Sequence, residues 1–184
     1  MAISADMIKR LREETGAGVI DCKKALEKSK GDFEEARKIL KEKGIEIAQK
    51  KSDRRTKEGR IESYIHHNHK VGSVVEVNCE TDFVARNEEF VKFCKDIALH
   101  IVASAPKFLK KEDVLEKDIP KEENKEEFYK KFCLLEQKFV RDESITVGEY
   151  LFSLIAKTRE NVVISKFSRF QVGEIASVAV ESTR

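Results

Sequence analysis

The sequence predicts an α+β protein, in which an N-terminal domain of three short helices precedes a core domain with a small antiparallel sheet packed by helices. The prediction rests on two changes of pattern. Apolar residues recur with helical spacing over residues 4–43, adopt the alternating spacing of strands near Arg60, and return to helical spacing after Asn87. Helices and strands in this order are typical of the α+β class.

The N-terminal part reads as three short helices. Ser4 is a suitable N-cap for the first helix, and the Gly-Ala-Gly triplet at residues 16–18 ends it. Asp32 and Glu35 have the spacing of a capping box at the start of the third helix, whose apolar stripe is expected to end at Gly44. Because helices this short are stable only when they pack on one another, a compact module is expected.

Two strands and a hairpin are predicted next. Residues 61–66 and 71–79 alternate in the manner of strands, and the turn residues 68–70 lie between them. A loop is expected over residues 80–84. Asn87 then caps a long helix with an apolar stripe.

The second half of the core domain is predicted to hold two helices and a final strand. A helix is expected over about residues 121–140, because four apolar residues would share one of its sides: Phe128, Phe132, Leu135 and Phe139. Thr146 and Glu149 form a second capping box, which opens another helix. Residues 162–170 have the character of a closing strand.

Composition limits the class of protein. The 184 residues carry a net charge of only +2, which argues against a protein that mainly coats nucleic acid. No apolar run approaches the roughly 18 residues of a membrane span, and the first residues lack the pattern of a secretion signal, so a cytoplasmic protein is expected. The scattered cysteines are expected to be ordinary buried thiols: Cys22, Cys79, Cys94 and Cys133.

The sequence offers no set of residues with the pattern of an enzyme site. It has no phosphate-binding glycine loop, no nucleophile elbow and no zinc-protease helix, so we expect no covalent chemistry and no cofactor. Three histidines cluster near the hairpin: His66, His67 and His69. On a strand His67 and His69 would share a face, as metal ligands can, but without a matching acidic or cysteine partner they are better interpreted as surface turn residues.

Two further segments leave alternatives open. The basic stretch over residues 50–60 is either a solvated connector or a contact for a phosphate backbone, although it lacks aromatic residues that would stack bases. Phe83 stands in the loop between a strand and a helix. It either folds back into the core or stays exposed as an aromatic anchor for a partner, and periodicity does not decide between these.

Four ordered segments resemble the elongation factor Ts family. They are Gly-Ala-Gly-Val-Ile-Asp-Cys-Lys-Lys-Ala-Leu at 16–26, Val-Glu-Val-Asn-Cys-Glu-Thr-Asp-Phe-Val-Ala-Arg-Asn at 75–87, Leu-Leu-Glu-Gln-Lys-Phe-Val at 134–140, and Phe-Ser-Arg-Phe-Gln-Val-Gly-Glu at 167–174. The second is highly specific. The family usually has methionine where Val19 and Ile20 stand, and residues 67–70 replace its commoner glycine-containing turn.

The resemblance implies a guanine nucleotide exchange factor that releases GDP from the GTPase elongation factor Tu. The loop formed by Thr81, Asp82, Phe83 and Val84 would project into the GTPase domain and disturb the surroundings of the bound magnesium. The N-terminal residues implied to contact the same domain are Leu11, Val19 and Ile20.

The resemblance also implies the domain organisation. Residues 1–54 would form a three-helix domain like the ubiquitin-associated (UBA) domain with a basic linker, residues 55–174 a dimerisation or core domain, and residues 175–184 a tail. Longer family members carry two related cores, so a homodimer is expected for this shorter chain. The competing readings are a UBA-type adaptor with an unrelated partner domain, which leaves the later segments unexplained, and a nucleic-acid-binding protein based on the basic stretch alone.

Overall fold

A computed structural model describes residues 3–120 and 122–174, and these form an α+β fold. The helices are α1 (Ala5–Thr15), α2 (Val19–Lys28), α3 (Phe33–Lys51), α4 (Asp82–Arg86), α5 (Glu88–Ser104), α6 (Lys125–Phe132) and α7 (Val147–Thr158). The strands are β1 (Glu58–Ile65), β2 (Val71–Cys79), β3 (Lys138–Phe139), β4 (Asp142–Thr146) and β5 (Val162–Gln171). The predicted tail at 175–184 lies outside the described residues.

Helices α1 to α3 pack into the predicted three-helix module. The Ser4 hydroxyl accepts a hydrogen bond from the backbone N–H of Met7 at 3.2 Å, which confirms the first N-cap. The Asp32 carboxylate caps α3 through the N–H of Glu35 at 3.0 Å, but the return bond from the Glu35 side chain that would complete the predicted capping box is absent at this helix start. The three helices enclose a small apolar cluster of their own, made of Leu11, Cys22, Ala25, Leu26 and Ala36. Burial of these side chains supplies the stabilisation that each helix lacks alone.

The prediction that the third helix ends at Gly44 is wrong, because α3 continues to Lys51. Gly44 lies against α7, where a Cβ added to it would sit 3.7 Å from the Phe152 carbonyl oxygen. Further along the helix, Ala48 enters the second and larger apolar cluster. Packing on both sides of Gly44 therefore overrides its low helix propensity, and α3 belongs to both clusters.

The larger cluster lies beneath a three-stranded antiparallel sheet with the order β1-β2-β5. The β1–β2 hairpin pairs Glu58 with Cys79 at one end and Ile65 with Gly72 at the other, so the predicted hairpin is confirmed, with β1 beginning three residues early. Val75 and Val77 point toward α5 and are fully buried. The opposite face of the sheet carries the exposed side chains.

The predicted helix over residues 121–140 is wrong in its second half. Helix α6 ends at Phe132, a 3-10 turn covers Leu134–Glu136, and β3 follows. The cause is a backbone pairing with the segment before it: Phe108 forms a β-bridge with Cys133, and the N–H of Leu134 donates to the Phe108 carbonyl at 2.9 Å. These bonds satisfy backbone groups that a continued helix would have used internally.

His100 on α5 organises a buried polar network. The Val140 backbone N–H donates to His100 Nδ1 at 3.2 Å, so the neutral ring carries its proton on Nε2 and donates it to the Gln137 side-chain oxygen at 3.0 Å. The Gln137 amide nitrogen donates in turn to the carbonyls of Ser104 and Lys131. Because every polar atom has a partner, the pair is accommodated in the core, where burial lowers the pKa of His100.

Gly44→Ala is expected to stabilise the protein. The new methyl group would meet its neighbours at ordinary contact distances, 3.7 Å and 4.0 Å, while the unfolded chain loses the extra freedom of glycine. We expect a gain of about 0.5–1 kcal/mol in the free energy of unfolding, measured by urea denaturation. Gly148→Ala is the contrast, because its Cβ would approach the Leu135 carbonyl oxygen to 3.0 Å and should bring no gain. Destabilisation by Gly44→Ala would contradict the packing described here.

Stability is expected to fall as pH drops below about 6.5, the ordinary pKa of histidine. The unfolded chain binds a proton at His100 there more readily than the folded chain, in which burial lowers the pKa of His100, so protonation favours unfolding. Urea midpoints at about pH 7.5 and about pH 5.5 measure the effect. His100→Leu should be less stable overall but lose this part of the pH dependence, whereas the exposed-turn variant His67→Gln should keep it.

Candidate partner-binding site

The segment that follows β2 displays Phe83 to solvent. The predicted loop over residues 80–84 is wrong in part, because α4 begins at Asp82 with Thr81 as its N-cap. Phe83 is 83% exposed, whereas Val84 packs against the core cluster. Of the two alternatives left open by the sequence, the structure therefore has the exposed ring.

Glu160, in the turn after α7, holds the start of this segment. One of its carboxylate oxygens accepts the backbone N–H groups of Glu80 at 3.1 Å and Thr81 at 3.0 Å, and the other accepts the Thr81 hydroxyl at 2.6 Å. Three hydrogen bonds to one carboxylate fix the backbone just before α4, since bonds to an ionised acceptor are stronger than neutral ones.

Glu80 in turn binds the segment that contains Glu160. Its carboxylate accepts the backbone N–H of Asn161 at 2.6 Å and lies 3.4 Å from the Arg54 guanidinium. The Asn161 side-chain amide donates to the carbonyls of Ser52 and Arg54, at 3.3 Å and 2.9 Å. The end of α3, the end of β2 and the start of β5 are thus joined at one point.

Asp82 and Arg86 flank the exposed ring. Their side chains form an ion pair at 3.0 Å on the surface of α4, with the aspartate about half exposed. An exposed apolar ring can insert into a partner. The half-exposed carboxylate beside it can accept N–H groups of that partner or pair with a cation there. Nothing in this arrangement provides a nucleophile paired with a base.

The three predicted N-terminal contact residues do not share one environment. Val19 and Ile20, in the first turn of α2, are 50% and 69% exposed, whereas Leu11 is fully buried inside the three-helix cluster. Leu11 therefore supports the shape of the module and presents no side-chain surface in this conformation.

Asp21 connects α2 to the turn after α7. Its carboxylate lies 2.6 Å from the Lys43 ammonium and 2.8 Å from the Arg159 guanidinium. Burial alone would raise the pKa of Asp21, but the two cations together hold it below its ordinary value. Because Arg159 and Glu160 are neighbours, the turn at 159–161 touches both the N-terminal module and the segment that carries Phe83.

Other candidate residues from the sequence have structural surroundings. The cysteines are free and buried, as predicted, and burial raises the pKa of Cys94 to about 12. The rings of His66 and His67 lie 4.2 Å apart at the hairpin. Within the described ranges, no three histidine, cysteine or acidic side chains come together in a way that could hold a metal ion. None of the described helices is long and apolar enough to cross a membrane.

The basic stretch is largely engaged within the protein. Lys50 pairs with Glu46 on α3, Lys51 donates to the Arg159 carbonyl, Arg54 pairs with Glu80, and Arg60 pairs with Glu62. These contacts favour the connector interpretation over a phosphate-binding surface.

Sequence reasoning missed Arg159 and Glu160. The only signal was a short polar run between a helix and a strand, which predicts a turn. Glu160 reaches a residue 79 positions away in the chain, and that partnership depends on how β2 and β5 pair.

Comparison with known proteins gives a consistent result. The family model described as "Elongation factor TS" matches residues 5–127 and 124–174. The elongation factor Ts of Fervidobacterium nodosum is 46% identical over 95% of this chain and 100% of its own length. Those of Methylacidiphilum infernorum (48% identical; 94% and 96%) and Thermotoga neapolitana (45%; 95% and 99%) are similar throughout. This chain belongs to the elongation factor Ts family.

Proposed function

We propose that the protein is a guanine nucleotide exchange factor for elongation factor Tu. It binds the GDP-bound GTPase in the cytoplasm, promotes release of GDP and so allows GTP to load, without covalent chemistry and without a cofactor of its own. The observation that carries the proposal is Phe83, a large ring 83% exposed on a segment that hydrogen bonds hold in place. An exposed aromatic side chain on a fixed backbone is typical of an anchor in a protein interface.

The proposed mechanism is a competition at the magnesium and phosphate site of the partner. Magnesium bridges the nucleotide phosphates to a GTPase, so displacing it weakens the binding of GDP. Thr81 and Val84 hold the segment while Phe83 acts as the wedge and Asp82 as the polar competitor. The factor must bind the nucleotide-free GTPase more tightly than the GDP-bound form, and linkage requires GDP to weaken the factor's own binding equally.

The N-terminal module supplies the second proposed contact. We assign residues 1–54 to a UBA-like domain with its linker and residues 55–174 to the core domain. Val19 and Ile20 give this module an exposed apolar surface for the GTPase, supported from within by Leu11.

A homodimer is proposed through the outer face of the sheet. Ile61, Ile65, Val74 and Phe170 point away from α5 and are 69%, 60%, 39% and 66% exposed. Gly72 on the central strand pairs with Ile65 on one side and with Phe170 on the other. Because glycine has no side chain, nothing stands between these two apolar residues on this face. Two copies of this face would cover each other's apolar side chains around a two-fold axis.

The rival functions have less support. A UBA-type adaptor would use only the N-terminal module and would leave Phe83 and its supporting contacts without a role. No direct contact with nucleic acid is proposed, because three carboxylates and one backbone carbonyl already engage four cations of the basic stretch.

Phe83→Ala is expected to slow exchange at least about tenfold, since truncation of an interface anchor costs 2 kcal/mol or more and each 1.4 kcal/mol is tenfold. The measurement is release of a fluorescent GDP analogue from elongation factor Tu, with and without the protein. Leu115→Ala, a truncation of another exposed side chain, is the matched control and should leave the rate unchanged. No acceleration by the native protein would reject the proposed function, while full activity of Phe83→Ala would move the mechanism to the N-terminal module.

Ile61→Lys is expected to separate the homodimer, because it places a charge among the exposed apolar side chains of the proposed interface. Sedimentation velocity at micromolar concentration should give a dimer for the native protein and a monomer for this variant. Leu115→Lys adds the same charge elsewhere on the surface and should remain dimeric. A native monomer under these conditions would rule out the dimer.

A further inference from the structure

We propose that Glu160 is a positioning residue for nucleotide exchange, acting through the backbone that carries Phe83. The inference rests on the proposed function and adds a residue that touches neither the partner nor the nucleotide. Its role would be to hold the exposed ring in the orientation in which it enters the GTPase.

Strands β2 and β5 stop pairing just before the segment that carries Phe83. Cys79, the last residue of β2, pairs with Val162, the first residue of β5. Immediately beyond this pair the backbones separate, and two carboxylates take over the role of acceptors. Glu160 accepts the N–H groups of Glu80 and Thr81, and Glu80 accepts the N–H of Asn161. The two segments therefore stay joined past the last ladder pair by reciprocal side-chain bonds.

The backbone at Glu160 is held by hydrogen bonds at the end of α7. Arg159 adopts a left-handed conformation, with φ of 59°, and its N–H donates to the Ile155 carbonyl at 3.0 Å to close α7. The Thr158 hydroxyl accepts the N–H of Glu160 at 3.4 Å. The backbone of Glu160 is thus held by the end of α7 on one side and by β5 on the other.

The segment that carries Phe83 has little order of its own beyond the packing of Val84 against the core cluster. Helix α4 has five residues, too few to be stable as an isolated helix, and Phe83 gains no burial energy that would hold its ring in place. Thr81 lies at the start of α4, and both its N–H and its hydroxyl donate hydrogen bonds to the Glu160 carboxylate. An interface anchor contributes most when its backbone is already ordered before binding.

Glu160→Ala should therefore lower the exchange efficiency of the folded protein roughly tenfold to hundredfold, the range that follows from a misplacement of about 1 Å. Glu160→Gln should restore most of the activity, because its oxygen can still accept both N–H groups and its amide can donate to the Thr81 hydroxyl. Glu149→Ala is the matched control: it removes a carboxylate that accepts a backbone N–H at the opposite end of α7. It should lower stability without changing exchange by the folded protein.

Two readouts separate positioning from a general loss of structure. In the Phe83→Ala background, Glu160→Ala should cost less than threefold, because the residue that it positions is gone. In the free protein, Glu160→Ala should speed hydrogen exchange at the amides of Glu80 and Thr81 while leaving those of β2 protected. Additive losses in the double variant, or full activity of Glu160→Ala, would overturn the inference while the proposed function stands. Failure of the native protein to release GDP would instead reject the proposed function itself.

Discussion

The pairing of β2 with β5 is the constraint on which the rest of the core depends. β2 is the central strand, and β5 reaches it only after the chain has formed α5, α6 and α7. Closing this ladder brings distant parts of the chain after α3 together and sets α7 beneath the sheet. It also places Glu160 beside Thr81, so the surroundings of the exposed ring follow from the most non-local strand pairing of this sheet. Loss of that pairing would remove the site together with the fold.

Polar contacts near this junction differ in how much they can contribute. The Asp21–Arg159 pair lies toward the surface, with the arginine 55% exposed, and pairs of this kind contribute little individually. The bonds from Glu160 to backbone N–H groups are of another kind, because removing their acceptor leaves donors without a partner. The His100–Gln137 network is similar: each bond satisfies a group that burial has already taken from water.

Local signals predicted local structure well. The N-caps at Ser4 and Asp32, the hairpin and the capping box at Thr146 each depend on residues a few positions apart, and each is present in the structure. The failures occurred where distant packing determined the outcome. The low helix propensity of glycine predicted an end at Gly44, but α3 continues because Gly44 packs against α7. The helix predicted after Phe132 is replaced by backbone pairing with the segment at 107–109.

The candidate site divides in the same way. The family resemblance implied residues 81–84, yet whether Phe83 faced the core or the solvent could not be predicted from spacing, because a single apolar residue in a short connection satisfies both. The structure supplies its exposure. Glu160 carried no signal beyond that of a turn, since a glutamate in a turn is ordinary until its distant partner is known.

The length of helix α3 determines how the N-terminal module is placed relative to the rest of the molecule. Its 19 residues span about 28 Å, and it is embedded in one apolar cluster near its start and in the other near its end. Since each residue turns a helix by about 100°, one inserted residue between Ala36 and Ala48 would swing Val19 and Ile20 more than a quarter of the way around the helix axis. The direction in which the N-terminal module faces therefore depends on the length of this helix. A partner that contacts both surfaces would be sensitive to a change of a single residue in that length.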